Sequence, residues 1–211
     1  MTAFPKVKVC GVTRPEDAAL AAALGADYIG LNFFAGSPRC ITVGRAREIA
    51  AASGEVRLVG VFVNRAAAEV EEIAAAVPLD LLQFSGDEEP AEVGRFGPRA
   101  LKVFRTGGDP GSAALASYAD CWGLLFDARH GALYGGTGLA WSFGEVARIA
   151  AERRVFVAGG LGPDNVRQAA AASGAYGVDI CSRVESAPGV KDRVLLERLF
   201  GEVRHAQSPA T

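Results

Sequence analysis

Residues 155–173 read VFVAGGLGPDNVRQAAAAS, and this stretch contains the pattern that decides the fold. Its first four residues, 155–158, form an apolar run typical of a short buried strand. Glycines at positions 159, 160 and 162 then turn the chain. An alanine-rich segment with helical periodicity follows from about Asp164. The stretch therefore predicts one strand followed by one helix.

The same unit recurs along the whole chain. Strands are predicted over residues 7–10, 28–32, 58–63, 79–83, 101–104, 122–126, 155–158 and 178–181. Helices are predicted to begin near Pro15, Gly44, Ala66, Pro90, Gly111, Ser142, Asp164 and Asp192. Repeated strand–helix units of this number predict an α/β protein, a single (β/α)8 TIM barrel over residues 1–211. An open doubly wound sheet is less favoured because no GxGxxG turn follows the first strand.

Composition limits the classes of partner. The 211 residues are 50% hydrophobic and carry a formal net charge of −2, from 22 basic and 24 acidic side chains, so a nucleic-acid partner is not expected. No long apolar tract or signal peptide is apparent, so no membrane partner is expected either. Four widely spaced cysteines predict reduced thiols and a cytoplasmic protein. Small molecules are the expected partners, and the oligomeric state stays open.

Active sites of such barrels lie at the carboxyl ends of the strands, and phosphate sites usually use the loops after strands seven and eight. Here those loops contain Gly159, Gly160, Ser182 and Arg183. Glycines allow backbone N–H groups to approach an anion, so a phosphorylated ligand is predicted. The alternative is that these glycines only turn the chain. The long loop after strand six, residues 127–138, is either a lid that approaches phosphate or a plain surface loop.

Two side chains at strand ends are candidates for proton transfer. Cys10 ends the first strand and Asp127 ends the sixth. A thiolate can act as a base and a carboxylic acid as a proton donor. Each residue also has a structural interpretation, Cys10 as a small buried apolar group and Asp127 as a loop cap. Cys181, at the eighth strand end, is a rival thiol.

Several motifs, read together and in order, resemble the phosphoribosylanthranilate isomerase family. They occupy residues 8–13, 30–33, 37–39, 59–64, 135–138, 158–161, 177–179 and 188–192. The resemblance implies an aldose–ketose isomerase of tryptophan biosynthesis. Its reaction is an Amadori rearrangement of N-(5'-phosphoribosyl)anthranilate to 1-(2-carboxyphenylamino)-1-deoxyribulose 5-phosphate. It implies no cofactor and no metal, in accord with only two, distant histidines.

The resemblance also implies roles for individual residues. Asp127 would be the general acid that protonates the ribose ring oxygen, and Cys10 the general base that removes the C2 proton. Arg39 would face the anthranilate carboxylate, and Asp179 would be a substrate-binding carboxylate in the same pocket. The phosphate would be bound by Gly136, Gly138, Gly159, Gly160, Ser182 and Arg183.

Three positions depart from the family pattern. Ser85 stands where the family usually has a histidine, Arg183 where it has a glycine, and Ala128 where it has a hydroxyl residue. The guanidinium of Arg183 could strengthen anion binding or could fill the phosphate site. Two alternatives therefore stay open: a paralogue that isomerises another phosphorylated aldosamine, and a non-catalytic barrel that binds a sugar phosphate. The related histidine-pathway enzymes use an aspartate where Cys10 stands, which argues against that substrate.

Overall fold

The fold is a closed barrel of eight parallel strands. The computed structural model describes residues 5–105, 111–128 and 143–207. The strands hydrogen-bond to one another in chain order, and β8 pairs with β1 to close the barrel. They are β1 Lys6–Cys10, β2 Tyr28–Asn32, β3 Arg57–Phe62, β4 Leu81–Phe84, β5 Ala100–Arg105, β6 Gly123–Asp127, β7 Val155–Ala158 and β8 Gly177–Ile180. The predicted (β/α)8 TIM barrel is confirmed, with each strand starting within two residues of its predicted position.

A helix follows each strand. These are α1 Pro15–Leu24, α2 Val43–Ala52, α3 Ala67–Ala76, α4 Pro90–Gly94, α5 Gly111–Ala116, α6 Phe143–Ala150, α7 Val166–Ser173 and α8 Arg193–Gln207. The shortest are α4, with 5 residues, and α5, with 6. No helix within the described ranges has both the length and the apolar composition needed to cross a bilayer.

The loop between β8 and α8 contains structure that the sequence analysis did not predict. A 3-10 turn, Ser182–Val184, leads into a small antiparallel hairpin of β9 Glu185–Ala187 and β10 Val190–Lys191. In this hairpin Lys191 is paired with Glu185. The hairpin therefore brings an acidic and a basic side chain together at the carboxyl end of the barrel.

Alternation along the strands divides the apolar residues between two cores. Val7 and Val9 of β1 belong to the larger core between strands and helices. Because successive strand residues point to opposite faces, Lys8 and Cys10 point into the barrel. A second core fills the barrel interior and includes Tyr28, Val59, Leu81, Leu101, Leu125 and Phe156. Polar side chains occupy the interior above this apolar plug, which places the functional end at the carboxyl ends of the strands.

Candidate active site

A cavity of about 530 Å³ opens at the carboxyl ends of the strands. It brings together residues from almost the whole length of the chain. The predicted site residues that line it are Cys10, Arg39, Asp127, Gly159, Gly160, Asp179 and Ser182. Arg183 is not among the lining residues. Gly136 and Gly138 lie outside the described residues.

Cys10 is held among groups that favour its thiolate. It accepts a hydrogen bond from Cys181, and this contact lowers its pKa well below the ordinary value. Burial opposes the thiolate, whereas the positive charges of Lys8 and Lys191 favour it. A lowered pKa favours the thiolate, which is the form that a general base requires. The rival thiol therefore lies beside Cys10 rather than at a separate site.

Replacing Cys181 with alanine should raise the pKa of Cys10, because the thiolate loses its hydrogen-bond donor. Alkylation of Cys10 by iodoacetamide should then require a higher pH than in the wild type. The measurement is the pH dependence of Cys10 modification, followed by mass spectrometry of the peptide that contains it. Cys40→Ala, at an exposed thiol, is the matched control. An unchanged midpoint in Cys181→Ala would show that the contact does not tune Cys10.

A buried ion pair lies below Cys10 in the barrel. Lys8 Nζ donates to Asp179 Oδ1 over 3.0 Å, with side-chain exposures of 0% and 8%. Burial raises the pKa of Asp179 to about 7, although the charge of Lys8 opposes the rise. Burial also disfavours the charge on Lys8, but Asp179 and the Cys10 thiolate outweigh it and raise the pKa of Lys8. Lys8 is therefore a permanent cation beneath the cavity. The alternation of residues along β1 was the sequence signal that could have predicted an inward-facing Lys8.

Asp127 ends β6 on the opposite side of the cavity from β2. In the barrel it is paired with Arg105 of β5 and with Ala158 of β7. Asp127 is only 9% exposed, but it lines the cavity. Asp127 and Cys10 therefore face one volume, as a pair of proton carriers requires.

Arg39 reaches the cavity from the loop after β2. Glu185 holds its guanidinium: Arg39 Nε donates to Glu185 Oε1 over 2.9 Å, and Nη2 donates to Oε2 over 2.6 Å. The hydrogen bonds that Arg39 donates to Glu185 raise the pKa of Arg39 further, so it is charged at every relevant pH. Gly11 permits this approach, since a Cβ there would lie 2.4 Å from Arg39 Cδ and the backbone has φ +70°. Arg39 can thus present a fixed cation to a substrate carboxylate.

The loop after β7, predicted to bind phosphate, contains two glycines with positive φ at the cavity wall. Gly159 has φ +100°, and a Cβ there would lie 2.5 Å from the backbone of Ala128, so only glycine fits. Gly160 also has a positive φ, +65°. Asn165 fixes the turn, because its Oδ1 accepts from the Gly162 N–H over 2.8 Å and its Nδ2 donates to the Gly160 carbonyl over 2.9 Å. Both glycines line the cavity wall together with Ser182.

The three departures from the family pattern are accommodated without filling the cavity. Ser85 is buried and accepts from Gln83 Nε2 over 3.0 Å, and its carbonyl accepts a hydrogen bond from Arg105. Ala128 is buried, and its N–H donates to the Ala158 carbonyl over 3.0 Å. The exposed Arg183 packs its Cβ over Gly162, outside the cavity lining. Its side chain therefore does not occupy the predicted phosphate site.

Gln83, which lines the cavity, has a buried hydrogen-bond acceptor, Oε1, without a partner among the described residues. A buried acceptor without a partner is costly unless a ligand or water supplies the donor.

Comparison with known proteins assigns the chain to a family. The model of the family described as N-(5'phosphoribosyl)anthranilate (PRA) isomerase matches residues 7–202. The chain belongs to this family. The N-(5'-phosphoribosyl)anthranilate isomerase of Stutzerimonas stutzeri is 45% identical over 199 residues, which are 93% of this chain and 96% of that protein. The resemblance identified in the sequence is thereby confirmed.

Solved structures of the family share the barrel. Phosphoribosyl anthranilate isomerase from Thermus thermophilus superposes with a TM-score of 0.81 at 37% identity, covering 95% of this chain and 99% of that one. A family structure in complex with reduced 1-(o-carboxyphenylamino)-1-deoxyribulose 5-phosphate has a TM-score of 0.80 at 26% identity, with coverage of 96% and 100%. That protein binds an analogue with the carboxylate and phosphate groups predicted for the ligand of this cavity.

Proposed function

We propose that this chain isomerises N-(5'-phosphoribosyl)anthranilate to 1-(2-carboxyphenylamino)-1-deoxyribulose 5-phosphate, an aldose–ketose isomerisation of tryptophan biosynthesis. The observation that carries the proposal is the convergence of Cys10, Asp127 and Arg39 on one cavity in a member of this family. The three side chains offer a base, an acid and a carboxylate-binding cation. The substrate needs all three, because it has a ring oxygen to protonate, a C2 proton to remove and an anthranilate carboxylate to hold.

In the first step Asp127 gives its proton to the ribose ring oxygen. The bond between that oxygen and C1 breaks, and the lone pair of the anilino nitrogen forms a C=N bond to C1. The product is an open-chain iminium with a free hydroxyl on the former ring oxygen. Asp127 suits this step because it is held at a strand end on the cavity wall.

In the second step the Cys10 thiolate takes the proton from C2. The electrons of that C–H bond form the C1=C2 bond, and those of the C=N bond return to nitrogen, which neutralises the iminium. The enolamine then becomes the ketone: the C2 hydroxyl proton passes to the Asp127 carboxylate, and C1 takes the proton held by the Cys10 thiol, which restores both residues to their starting states. The cations of Lys8 and Lys191 keep the thiolate available for the C2 proton.

The rest of the cavity would hold the two ends of the substrate. Arg39 binds the anthranilate carboxylate, since a planar guanidinium matches that group with two parallel hydrogen bonds. The phosphate is bound by the backbone of Gly159 and Gly160 and by Ser182. The exposed Arg183 lies outside the cavity lining and adds a positive charge nearby. Asp179 and Gln83, which both line the cavity, accept hydrogen bonds from ribose hydroxyls. The absence of a cofactor and a metal stays a prediction.

The test is isomerase activity of the purified protein. The substrate is generated in situ from anthranilate and phosphoribosyl pyrophosphate, and its fluorescence loss is followed. Turnover would support the function and show that Ser85, Ala128 and Arg183 are tolerated. A folded wild type without turnover that still binds the reduced product analogue would point to a non-catalytic barrel, and one that binds neither would point to a paralogue with another aldosamine.

Arg183→Ala should raise the KM for the phosphorylated substrate by less than about fivefold and leave kcat unchanged. The reason is that an exposed cation contributes up to about 1 kcal/mol to an ionic contact. The KM difference should shrink as salt is added. Steady-state kinetics at two ionic strengths measure it, with Arg167→Ala on α7 as the matched control. A lower KM in Arg183→Ala would show instead that this side chain obstructs phosphate.

A further inference from the structure

The β9–β10 hairpin places an ion pair directly behind the proposed catalytic residues. Lys191 Nζ lies 2.8 Å from Glu185 Oε1, and their side chains are 0% and 4% exposed. Two buried charges of opposite sign are costly to bring together unless further hydrogen bonds satisfy them. Here both partners make those further bonds, and all of them go to the proposed site.

Lys191 uses every N–H of its ammonium group. Besides Glu185, its Nζ donates to the Cys10 carbonyl over 2.6 Å and to the Cys181 carbonyl over 3.2 Å. An ammonium has three donors, so all three have an acceptor. The two carbonyls belong to the end of β1 and to the residue that follows β8. Lys191 therefore ties together the two strand ends that carry the paired thiols.

Glu185 fixes one edge of the Arg39 guanidinium. Its carboxylate takes Nε and one N–H of Nη2, a bidentate arrangement. The other edge, formed by Nη1 and the second N–H of Nη2, has no acceptor among the residues that the structure describes. Because the guanidinium is planar and rigid, holding one edge sets the direction of the other. Glu185 thus leaves a second bidentate edge of Arg39 for a carboxylate.

The hairpin itself is anchored to the first helix. The Lys191 N–H donates to Asp17 Oδ2 over 3.0 Å. Asp17 is in turn held by Arg14, whose Nη2 donates to Oδ1 over 2.6 Å. The ion pair therefore has a rigid support behind it, as a group that positions others requires.

We propose that Glu185 and Lys191 are positioning residues of the reaction, in which Glu185 orients Arg39 toward the substrate carboxylate and Lys191 holds the β1 end that carries Cys10. This inference rests on the proposed isomerase function. Neither residue touches the substrate. They act on different steps, since Arg39 serves binding and Cys10 serves chemistry.

The two roles predict different kinetic effects. Glu185→Gln keeps an amide oxygen for one hydrogen bond but loses the charged bidentate contact, so KM should rise about tenfold with kcat changed less than about twofold.

Lys191→Met removes the hydrogen bond to the Cys10 carbonyl and a cation near the Cys10 thiolate, so kcat should fall at least about tenfold. The acidic limb of the kcat profile should also move to higher pH in Lys191→Met. The charged and titratable groups around the Cys10 thiolate are Lys8, Arg39, Asp179, Cys181 and Lys191.

The experiment compares wild type, Glu185→Gln, Lys191→Met and Lys191→Arg in steady-state kinetics over a pH series, with thermal melting of each. Glu48→Gln is the matched control, because Glu48 pairs with Arg45 on the exposed face of α2. Equal losses of kcat and kcat/KM in both variants, with no shift of the pH limb, would overturn the positioning roles. So would wild-type kinetics in either variant.

A second variant and a second measurement test the inference even if Lys191→Met does not fold. If Lys191→Met does not fold, Lys191→Arg restores the charge with a different reach, and a partial recovery of kcat with the wild-type pH limb supports the inference. The pH dependence of Cys10 modification by iodoacetamide measures the effect of Lys191 on the Cys10 pKa, and this measurement does not depend on turnover. An inactive wild type contradicts the proposed function, whereas an active wild type with unaffected variants contradicts only this inference.

Discussion

Asp127→Asn is expected to lower kcat by between about a hundredfold and about ten-thousandfold, the usual contribution of one general acid. The amide has nearly the same size and shape as the carboxyl group, but it has no acidic proton for the ribose ring oxygen. Ring opening then depends on a proton from water, which is a much weaker acid than a carboxylic acid. KM should change little, because the proposed anchors for carboxylate and phosphate, Arg39 and the loop after β7, are untouched.

The measurement is steady-state turnover of in-situ generated substrate, with thermal melting to show that the variant folds. Asp120→Asn is the matched control, since it makes the same chemical change at an exposed residue preceding the amino end of β6. A folded Asp127→Asn protein with wild-type turnover would remove Asp127 from the mechanism.

Cys10→Ala is expected to cause a loss of kcat of similar size, at least about a hundredfold. The variant has no base at the position that takes the C2 proton, and the alanine is small enough to leave the barrel packing intact. Cys10→Ser should also be nearly inactive, because a hydroxyl is not ionised at neutral pH. Cys40→Ala is the matched control, at an exposed thiol that does not line the cavity.

The pH profile of the wild type gives a second test of Cys10. A base is active when deprotonated, so kcat should fall on the acidic side as the pH drops through the pKa of Cys10. Because the Cys181 hydrogen bond and the cations of Lys8 and Lys191 lower that pKa, the acidic limb should lie well below the pKa of an ordinary thiol. An acidic limb centred near the pKa of an ordinary thiol would contradict the proposed environment.

The fold could be predicted because its signals are local. Short apolar runs typical of buried strands alternate along the chain with alanine-rich helices of period 3.6, and each strand–helix unit can be recognised within about twenty residues. Helix lengths were less predictable: α4 and α5 are only 5 and 6 residues long. The β9–β10 hairpin was missed because its strands, of 3 and 2 residues, are too short to show a period.

The site residues could be predicted from the sequence for a topological reason. In a closed parallel barrel every strand ends on the same rim, so polar residues that follow apolar strands must meet there. This rule placed Cys10, Asp127 and Gly159 together from their positions in the sequence alone, and the structure lines one cavity with all three. The roles of these side chains, in contrast, came from the family resemblance and stay predictions until the variants are measured.

The sequence alone was sufficient to predict the barrel, the family and the end of the barrel that holds the proposed site, because periodicity and strand order carry that information. Only the tertiary structure showed that Cys181 is hydrogen-bonded to Cys10, that Lys8 pairs with Asp179, and that Glu185 and Lys191 join Arg39 to the end of β1. The physical reason is that a charge in the interior is tolerated only beside particular partners. Those partners come from distant strands, and their contacts depend on side-chain directions and distances that no local pattern encodes.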